Sequence, residues 1–110
     1  MAFDEGLAQR VSELLAEHLY ATQKKMFGGL CFMISGNVCV AVMGEGIVVR
    51  VGPPNYAYAL TLPYTSEFNF TGKPMKGWVM VDAQGLAEDE GLAQWLERGE
   101  QFASALRPKH

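Results

Sequence analysis

Apolar residues recur at helical spacing near both ends of the chain. The first stripe, with a period near 3.6 residues, predicts an amphipathic helix over residues 4–20. It comprises Leu7, Val11, Leu14, Leu15 and Leu19. A second stripe predicts a helix over residues 88–106 and comprises Leu92, Trp95, Leu96, Phe102, Ala103 and Leu106. Asp4 is expected to cap the first helix, and Gly99 on the second stripe would let that helix approach a sheet closely.

Between these helices, short apolar runs separated by turn residues are typical of β-strands. The runs over 25–34, 38–43 and 47–51 predict an antiparallel meander, with turns at 35–37 and 44–46. A short helix is expected over 54–60, because proline suits a first helical turn. A weak strand around Phe68 and Phe70 and a clear strand over 77–82 complete the pattern.

The predicted order of elements is α-β-β-β-α-β-β-α. Amphipathic helices at both ends of an antiparallel sheet of about five strands imply an α+β fold with two layers, the helices lying on one face. With 110 residues the chain has close to the commonest domain size. We therefore expect residues 1–110 to form a single domain whose core needs neither a metal nor a disulfide.

Charge and hydropathy narrow the classes of partner. Lys and Arg total 9 against 12 Asp and Glu, for a net charge of −3. A nucleic-acid-binding surface usually carries a basic stripe, so direct nucleic-acid binding is not expected. No apolar run approaches the ~20 residues of a membrane helix, and the N-terminus lacks a signal-peptide pattern. We therefore expect a cytoplasmic protein without a membrane segment.

Candidate catalytic groups are few. The only histidines are His18 and His110, and no serine lies in a nucleophile-elbow context. Cys31 and Cys39 have neither a zinc spacing nor a nearby histidine. A two-residue turn at 36–37 would place the cysteines on opposite faces, and a three-residue turn would place them diagonally on one face. Neither register favours a disulfide.

We accordingly expect no enzymatic activity, no cofactor and no metal. An enzyme would require Cys31 or Cys39 to be exposed with a lowered pKa.

The basic residues support an alternative function. By strand alternation Arg50 shares the face of Val48, where it could be a solvent-exposed residue, an ion-pair partner or an anion site. If Lys25, Arg50, Lys73 and Lys76 converge on one cleft, the chain would bind a small anionic ligand or nucleic acid.

Three motifs in two stretches of the chain resemble the N-terminal domain of the TfoX/Sxy family. They are KMFGGLCFM at 25–33 followed by VRVG at 49–52, and FTGKPMKGWVMV at 70–81. The signature positions are Met26, Phe27, Gly28, Gly29, Gly72 and Gly77. Founding members are bacterial regulators of natural competence, act as coactivators with a DNA-bound cyclic-AMP receptor protein and carry a second, C-terminal domain. The resemblance implies a similar two-layer fold and a non-enzymatic regulatory or protein-interaction domain, and it supplies no catalytic residues.

One segment of the signature is a candidate contact site. Lys73, Met75, Lys76 and Trp78, together with Arg50, would combine an apolar surface with positive charge, which suits binding to a protein. The partner implied is another protein, such as a transcription regulator, and an open sheet face also favours a homodimer. Alternatively, the same residues only set turns and fill the core.

Overall fold

Within the described residues, three α-helices lie on one face of a six-stranded antiparallel sheet. The computed structural model describes residues 3–16, 18, 20–26, 28–69 and 72–107. The helices are α1 (Glu5–Leu14), α2 (Tyr56–Ala59) and α3 (Asp89–Ala105). The strands are β1 (Ala21–Met26), β2 (Gly29–Ile34), β3 (Asn37–Met43), β4 (Gly46–Arg50), β5 (Thr65–Glu67) and β6 (Trp78–Val81). The strand order β1-β2-β3-β4-β6-β5 confirms the α+β class, with one strand more than expected.

Helix α1 is shorter than its apolar stripe. The Asp4 side chain accepts a hydrogen bond from the Leu7 N–H at 3.1 Å, which confirms the predicted N-cap. The predicted extension to residue 20 is wrong, because after the helix the chain closes a short turn in which the His18 N–H donates to the Leu15 carbonyl. Leu15 is still buried there, so the apolar spacing continues beyond the helical backbone. Leu19 lies outside the described residues.

The predicted first strand over 25–34 is two strands joined by a tight hairpin. Met26 pairs with Gly29, which leaves only positions 27 and 28 for the turn. Gly28 has φ +76°, a conformation that side chains disfavour, so glycine suits this corner. The first glycine of the pair thus reverses the chain rather than bending a strand. Phe27 lies outside the described residues.

The turn between β2 and β3 begins one residue earlier than in the two-residue alternative, which placed it at residues 36–37. Ile34 pairs with Asn37, so the turn is Ser35–Gly36, with both residues at positive φ. This is the backbone of the primed turns that match strand twist. A register shift between Phe32 and Met33 then changes the pairing along the strands.

The chain between β4 and β6 is less regular than expected. A 3₁₀ turn over Pro53–Asn55 precedes α2, so the predicted helix over 54–60 is only partly α-helical. Strand β5 ends at Glu67, so it precedes the strand predicted around Phe68 and Phe70, and Phe70 lies outside the described residues. Strand β6 agrees with its prediction and pairs with both β4 and β5.

Helix α3 lies closely on β3 and β4 through its buried face. Leu92, Trp95, Leu96 and Ala103 are buried in the main core, as the second stripe predicts. A Cβ atom at Gly99 would lie 2.7 Å from the Cys39 carbonyl oxygen, which confirms that this glycine permits a close approach to the sheet.

Candidate protein-contact site

The sheet surface opposite the helices, termed the helix-free face, is built by strand alternation. Cys31, Ala41, Val48 and Met80 pair successively across β2, β3, β4 and β6 and form one row on this face. The first three are buried, at 0%, 2% and 1% exposure, although no helix covers them. A second, smaller hydrophobic cluster therefore exists on this face, separate from the core under the helices.

The connection between β5 and β6 packs on this second cluster. Phe68 is buried with Cys31, Ala41 and Val48, and Met75 packs against the same group. The Met75 N–H donates to the Phe68 carbonyl at 2.8 Å, which holds this connection in a closed loop. The candidate segment is thus part of the face.

Methionine dominates the outer layer of the helix-free face. Four of the six methionines of the chain, Met26, Met43, Met75 and Met80, pack half-buried around the second cluster. Methionine side chains are flexible and polarisable, and they are common at adaptable binding surfaces. Half-buried Trp78 completes the layer, so the face combines residue types that are enriched at protein interfaces.

Arg50 lies between two aromatic rings at the ends of β4 and β6. Its guanidinium carbon is 5.3 Å from the centre of the Trp78 ring and 5.2 Å from that of Phe102 on α3. Partial burial lowers the pKa of Arg50 from its ordinary value. Within the described residues it forms no ion pair. Its predicted placement on the face of Val48 is confirmed by the pairing of Arg50 with Trp78.

Two of the signature motifs meet beside Arg50. The Gly77 carbonyl accepts hydrogen bonds from the N–H groups of Val51 at 2.9 Å and Gly52 at 3.0 Å. Gly77 has φ +96°, and a Cβ atom there would lie 3.2 Å from Pro53. The VRVG and MKGW stretches are therefore joined through backbone contacts, and this junction sets the positions of Arg50 and Trp78. Gly72, another signature position, has φ +87° and lies in the loop that precedes Gly77.

The structure separates the four cations of the alternative site. Lys73 and Lys76 are exposed on the loop that leads to Trp78, at the same end of the sheet as Arg50. Lys25 pairs with Leu30, whose side chain packs on the main core, so it points to the helix side. It also lies three strands from Arg50, roughly 14 Å across the sheet.

Some residues of the site were not predicted from the sequence. The Phe102 ring on α3 packs against the Arg50 guanidinium. The two residues are 52 positions apart in the sequence, and no local sequence pattern indicates this contact. Lys24 shares the helix-free face because it pairs with Cys31, which would follow from alternation once β1 is recognised as a strand. The methionines were visible in the sequence, but their common face was not.

The two cysteines occupy opposite sides of the sheet. Cys31 belongs to the helix-free cluster and Cys39 to the main core, and both are free and buried. Burial raises the pKa of the Cys31 thiol. Burial, with a smaller contribution from Glu100, raises the pKa of Cys39 to about 12. Both environments favour the neutral thiol over the reactive thiolate.

The remaining cavities are open grooves on the molecular surface. The groove beside α3, of about 430 Å³, includes Tyr64, Trp95 and Arg98 among its lining residues. Arg98 stacks on Trp95 at 4.6 Å, so this guanidinium itself covers the ring. Within the described parts of the chain, no three His, Cys, Asp or Glu side chains group as metal ligands. None of the described helices is sufficiently long and apolar to cross a bilayer.

The fold and the face together define a small α+β domain with a methionine-rich sheet surface. The family model for the TfoX N-terminal domain matches residues 13–103, which include both stretches that carry the resemblance. The chain therefore belongs to the TfoX N-terminal domain family. Searches of curated proteins and of solved structures gave no significant match.

Proposed function

We propose that this chain is a non-enzymatic regulatory domain that acts by binding another protein through its helix-free face. The observation that carries the proposal is the grouping of four methionines and Trp78 around the second hydrophobic cluster, with Arg50 stacked on Trp78 at one end of it. Interfaces are enriched in aromatic residues, methionine and arginine, and the residues that dominate binding energy are often Trp or Arg. Membership of the TfoX N-terminal domain family supports a regulatory role.

The class of partner follows from the family resemblance. A bacterial transcription regulator in the cytoplasm is the partner that the competence regulators imply. Binding through a single domain would then recruit or modify that regulator without any chemical step. The buried thiols with raised pKa values support the non-enzymatic part of the proposal.

Site-specific photo-crosslinking tests the location of the contact. A crosslinkable residue replaces Met80 on the helix-free face, and the matched control replaces Gln94, an exposed position on α3. We expect protein adducts of defined mass from position 80 in the native host at natural expression levels, and none from position 94. Equal adducts at both positions, or adducts from position 94 alone, would contradict the proposed surface.

Exposed cations near Arg50 support a second candidate, the binding of a small anion or nucleic acid. Lys73 and Lys76 lie at the same end of the sheet as this guanidinium, which lacks an ion pair in the described part of the chain. A fluorescent single-stranded oligonucleotide and inorganic phosphate are the probes. We expect binding to be lost in the double variant Arg50→Ala, Lys76→Ala and retained in Lys25→Ala. That result would support an anion site formed by Arg50 and Lys76, with no part for Lys25. No binding to either probe would remove it.

A further inference from the structure

We propose that the helix-free face pairs with the same face of a second copy of this chain, across a two-fold axis perpendicular to the strands. This inference rests on the proposed function, because it uses the same contact surface, with a second copy of the chain as the occupant in place of the transcription regulator. Three properties of the described residues carry it: the charges at the two ends of the sheet, the size of the face, and the row of residues at its centre.

One end of the sheet, termed the acidic end, is formed by the β3–β4 turn and the residues after β6. Glu45 and Asp82 line one open cavity there, next to Met43 and Met80. The Asp4 N–H donates to the Gly44 carbonyl, and α3 also begins at this end. The acidic residues gathered here are Asp4, Glu45, Asp82, Glu88, Asp89 and Glu90. Arg10 partly offsets them through its 3.0 Å ion pair with Asp89. Lys25 also lies towards this end, on the helix side of the edge strand β1.

The opposite end, termed the basic end, is where β4 finishes and β6 begins. Arg50 lies there, and Lys73 and Lys76 lie on the loop that enters β6. The chain after α3 also reaches this end, since the Arg107 carbonyl accepts a hydrogen bond from Asn37 at the start of β3. Glu67 is an acidic residue at this end, and it accepts a hydrogen bond from the hydroxyl of Tyr56.

This polarity selects one geometry for a symmetric pair. An axis in the interface and perpendicular to the strands reverses the strand direction, so that the basic end of each copy covers the acidic end of the other. An axis parallel to the strands would superpose like charges, which is unfavourable. The chosen axis thus brings Arg50 and Lys76 of each copy towards Glu45 and Asp82 of the other, twice in each dimer.

The face is large enough for this role. The chain has an accessible surface of 6559 Å² and extents of 31 × 29 × 27 Å. One of six similar sides of such a body presents on the order of 1,000 Å², and a standard interface buries about 800 Å² per partner. One side of a chain of this size is therefore sufficient for an interface of standard area.

The row of residues across the middle of the face lies along the proposed axis. Cys31, Ala41 and Val48 in this row are buried with Phe68, so Met80 and Lys24 are the members left to reach the second copy. Met80 would contact Met80 of the second copy, and apolar contacts between adaptable side chains would fill the centre. Lys24 continues the row on the edge strand β1 and would approach its own copy. Because β1 is the edge strand, Lys24 lies at the rim of the proposed pair, where solvent and salt screen the repulsion.

Sedimentation equilibrium of the full chain tests the pairing. We expect a dimer whose dissociation constant rises at least about tenfold in Arg50→Glu, because two attractive contacts per dimer become repulsive. Arg98→Glu is the matched control, since Arg98 also covers a tryptophan ring but lies on α3. Lys76→Glu, in an exposed loop, repeats the test if Arg50→Glu disturbs the fold.

A charge-swapped chain provides the decisive comparison. It combines Arg50→Glu and Lys76→Glu with Glu45→Lys and Asp82→Lys, and we expect it to recover most of the lost dimerisation. A single engineered cysteine, Met80→Cys, should form an intermolecular disulfide under mild oxidation, whereas Gln94→Cys on α3 should not.

A monomeric wild-type chain at millimolar concentration would overturn the inference, and so would a loss of dimer in Arg98→Glu equal to that in Arg50→Glu. Failure of the charge swap to restore pairing would overturn the proposed axis. If the chain is monomeric but crosslinks to another protein from position 80, the inference fails and the proposed function stands. If position 80 yields neither dimer nor protein adduct, both fail.

Discussion

At the scale of residues, surroundings decide what otherwise similar side chains do. Cys31 and Cys39 lie on neighbouring strands, yet they face different hydrophobic clusters. Burial raises the pKa of the Cys39 thiol to about 12. Alternation along β4 was enough to predict the face of Arg50. Its aromatic contacts were not predictable, because Phe102 reaches it from a distant helix through tertiary packing.

The raised pKa of Cys39 predicts a specific alkaline instability. The folded chain holds this proton up to about pH 12, whereas the ordinary value is 9.0, so the unfolded chain releases it first. The stabilising contribution is fully present below pH 9.0 and is lost as the pH rises towards the folded value. Urea unfolding between these pH values should show a steeper loss of stability in the wild type than in Cys39→Ala. Parallel curves would contradict the buried neutral thiol.

At the scale of elements, the sequence predicted those that bury an apolar side, but it missed β1 and misplaced β5, which are largely exposed. Strand β1 has four exposed central residues and lies at the sheet edge, so it lacks the hydrophobic signal of a strand. Because β1 was not predicted, the glycine pair was placed inside the predicted strand over 25–34, and the first helix was predicted to extend to residue 20. The central strands and α3 were predicted because each buries one or both faces in the core.

Helix α3 offers a test of close packing at Gly99. In Gly99→Ala the new methyl group would meet the Cys39 carbonyl oxygen and sulfur at 2.7 and 3.0 Å. Overpacking costs about 1–3 kcal/mol, and the better helix propensity of alanine offsets roughly 1 kcal/mol. The clash is with a backbone carbonyl, so the cost lies in the upper part of this range, about 2–3 kcal/mol, and we expect a net loss of about 1–2 kcal/mol in the free energy of unfolding.

Ser104→Ala, at an exposed position of the same helix, is the control and should change stability by no more than about 0.5 kcal/mol. Thermal and urea denaturation measure both variants. A Gly99→Ala chain as stable as the wild type would show that α3 does not lie so close to β3.

At the scale of the whole molecule, charge and apolar surface are both unevenly distributed. The helices cover one face of the sheet, while the β5–β6 loop and the methionines cover the other. Acidic residues gather at one end of the strands, and Arg50, Lys73 and Lys76 lie at the other. The net charge of −3 conceals this polarity, because a sum carries no position. Composition therefore argued against nucleic-acid binding but did not indicate the difference in charge between the two ends of the sheet.

Methyl NMR of the full chain tests the central claim, that the helix-free face is a contact surface, most directly. Methionine and leucine methyl groups are labelled, and a soluble paramagnetic agent reports their exposure as the protein concentration rises. We predict that Met43 and Met80 become protected, whereas Leu14, at 43% exposure on α1, does not change. Protection of Leu14 with unchanged methionines would contradict the account. So would the absence of any methyl protection, both as the concentration of the chain rises and after the host's proteins are added.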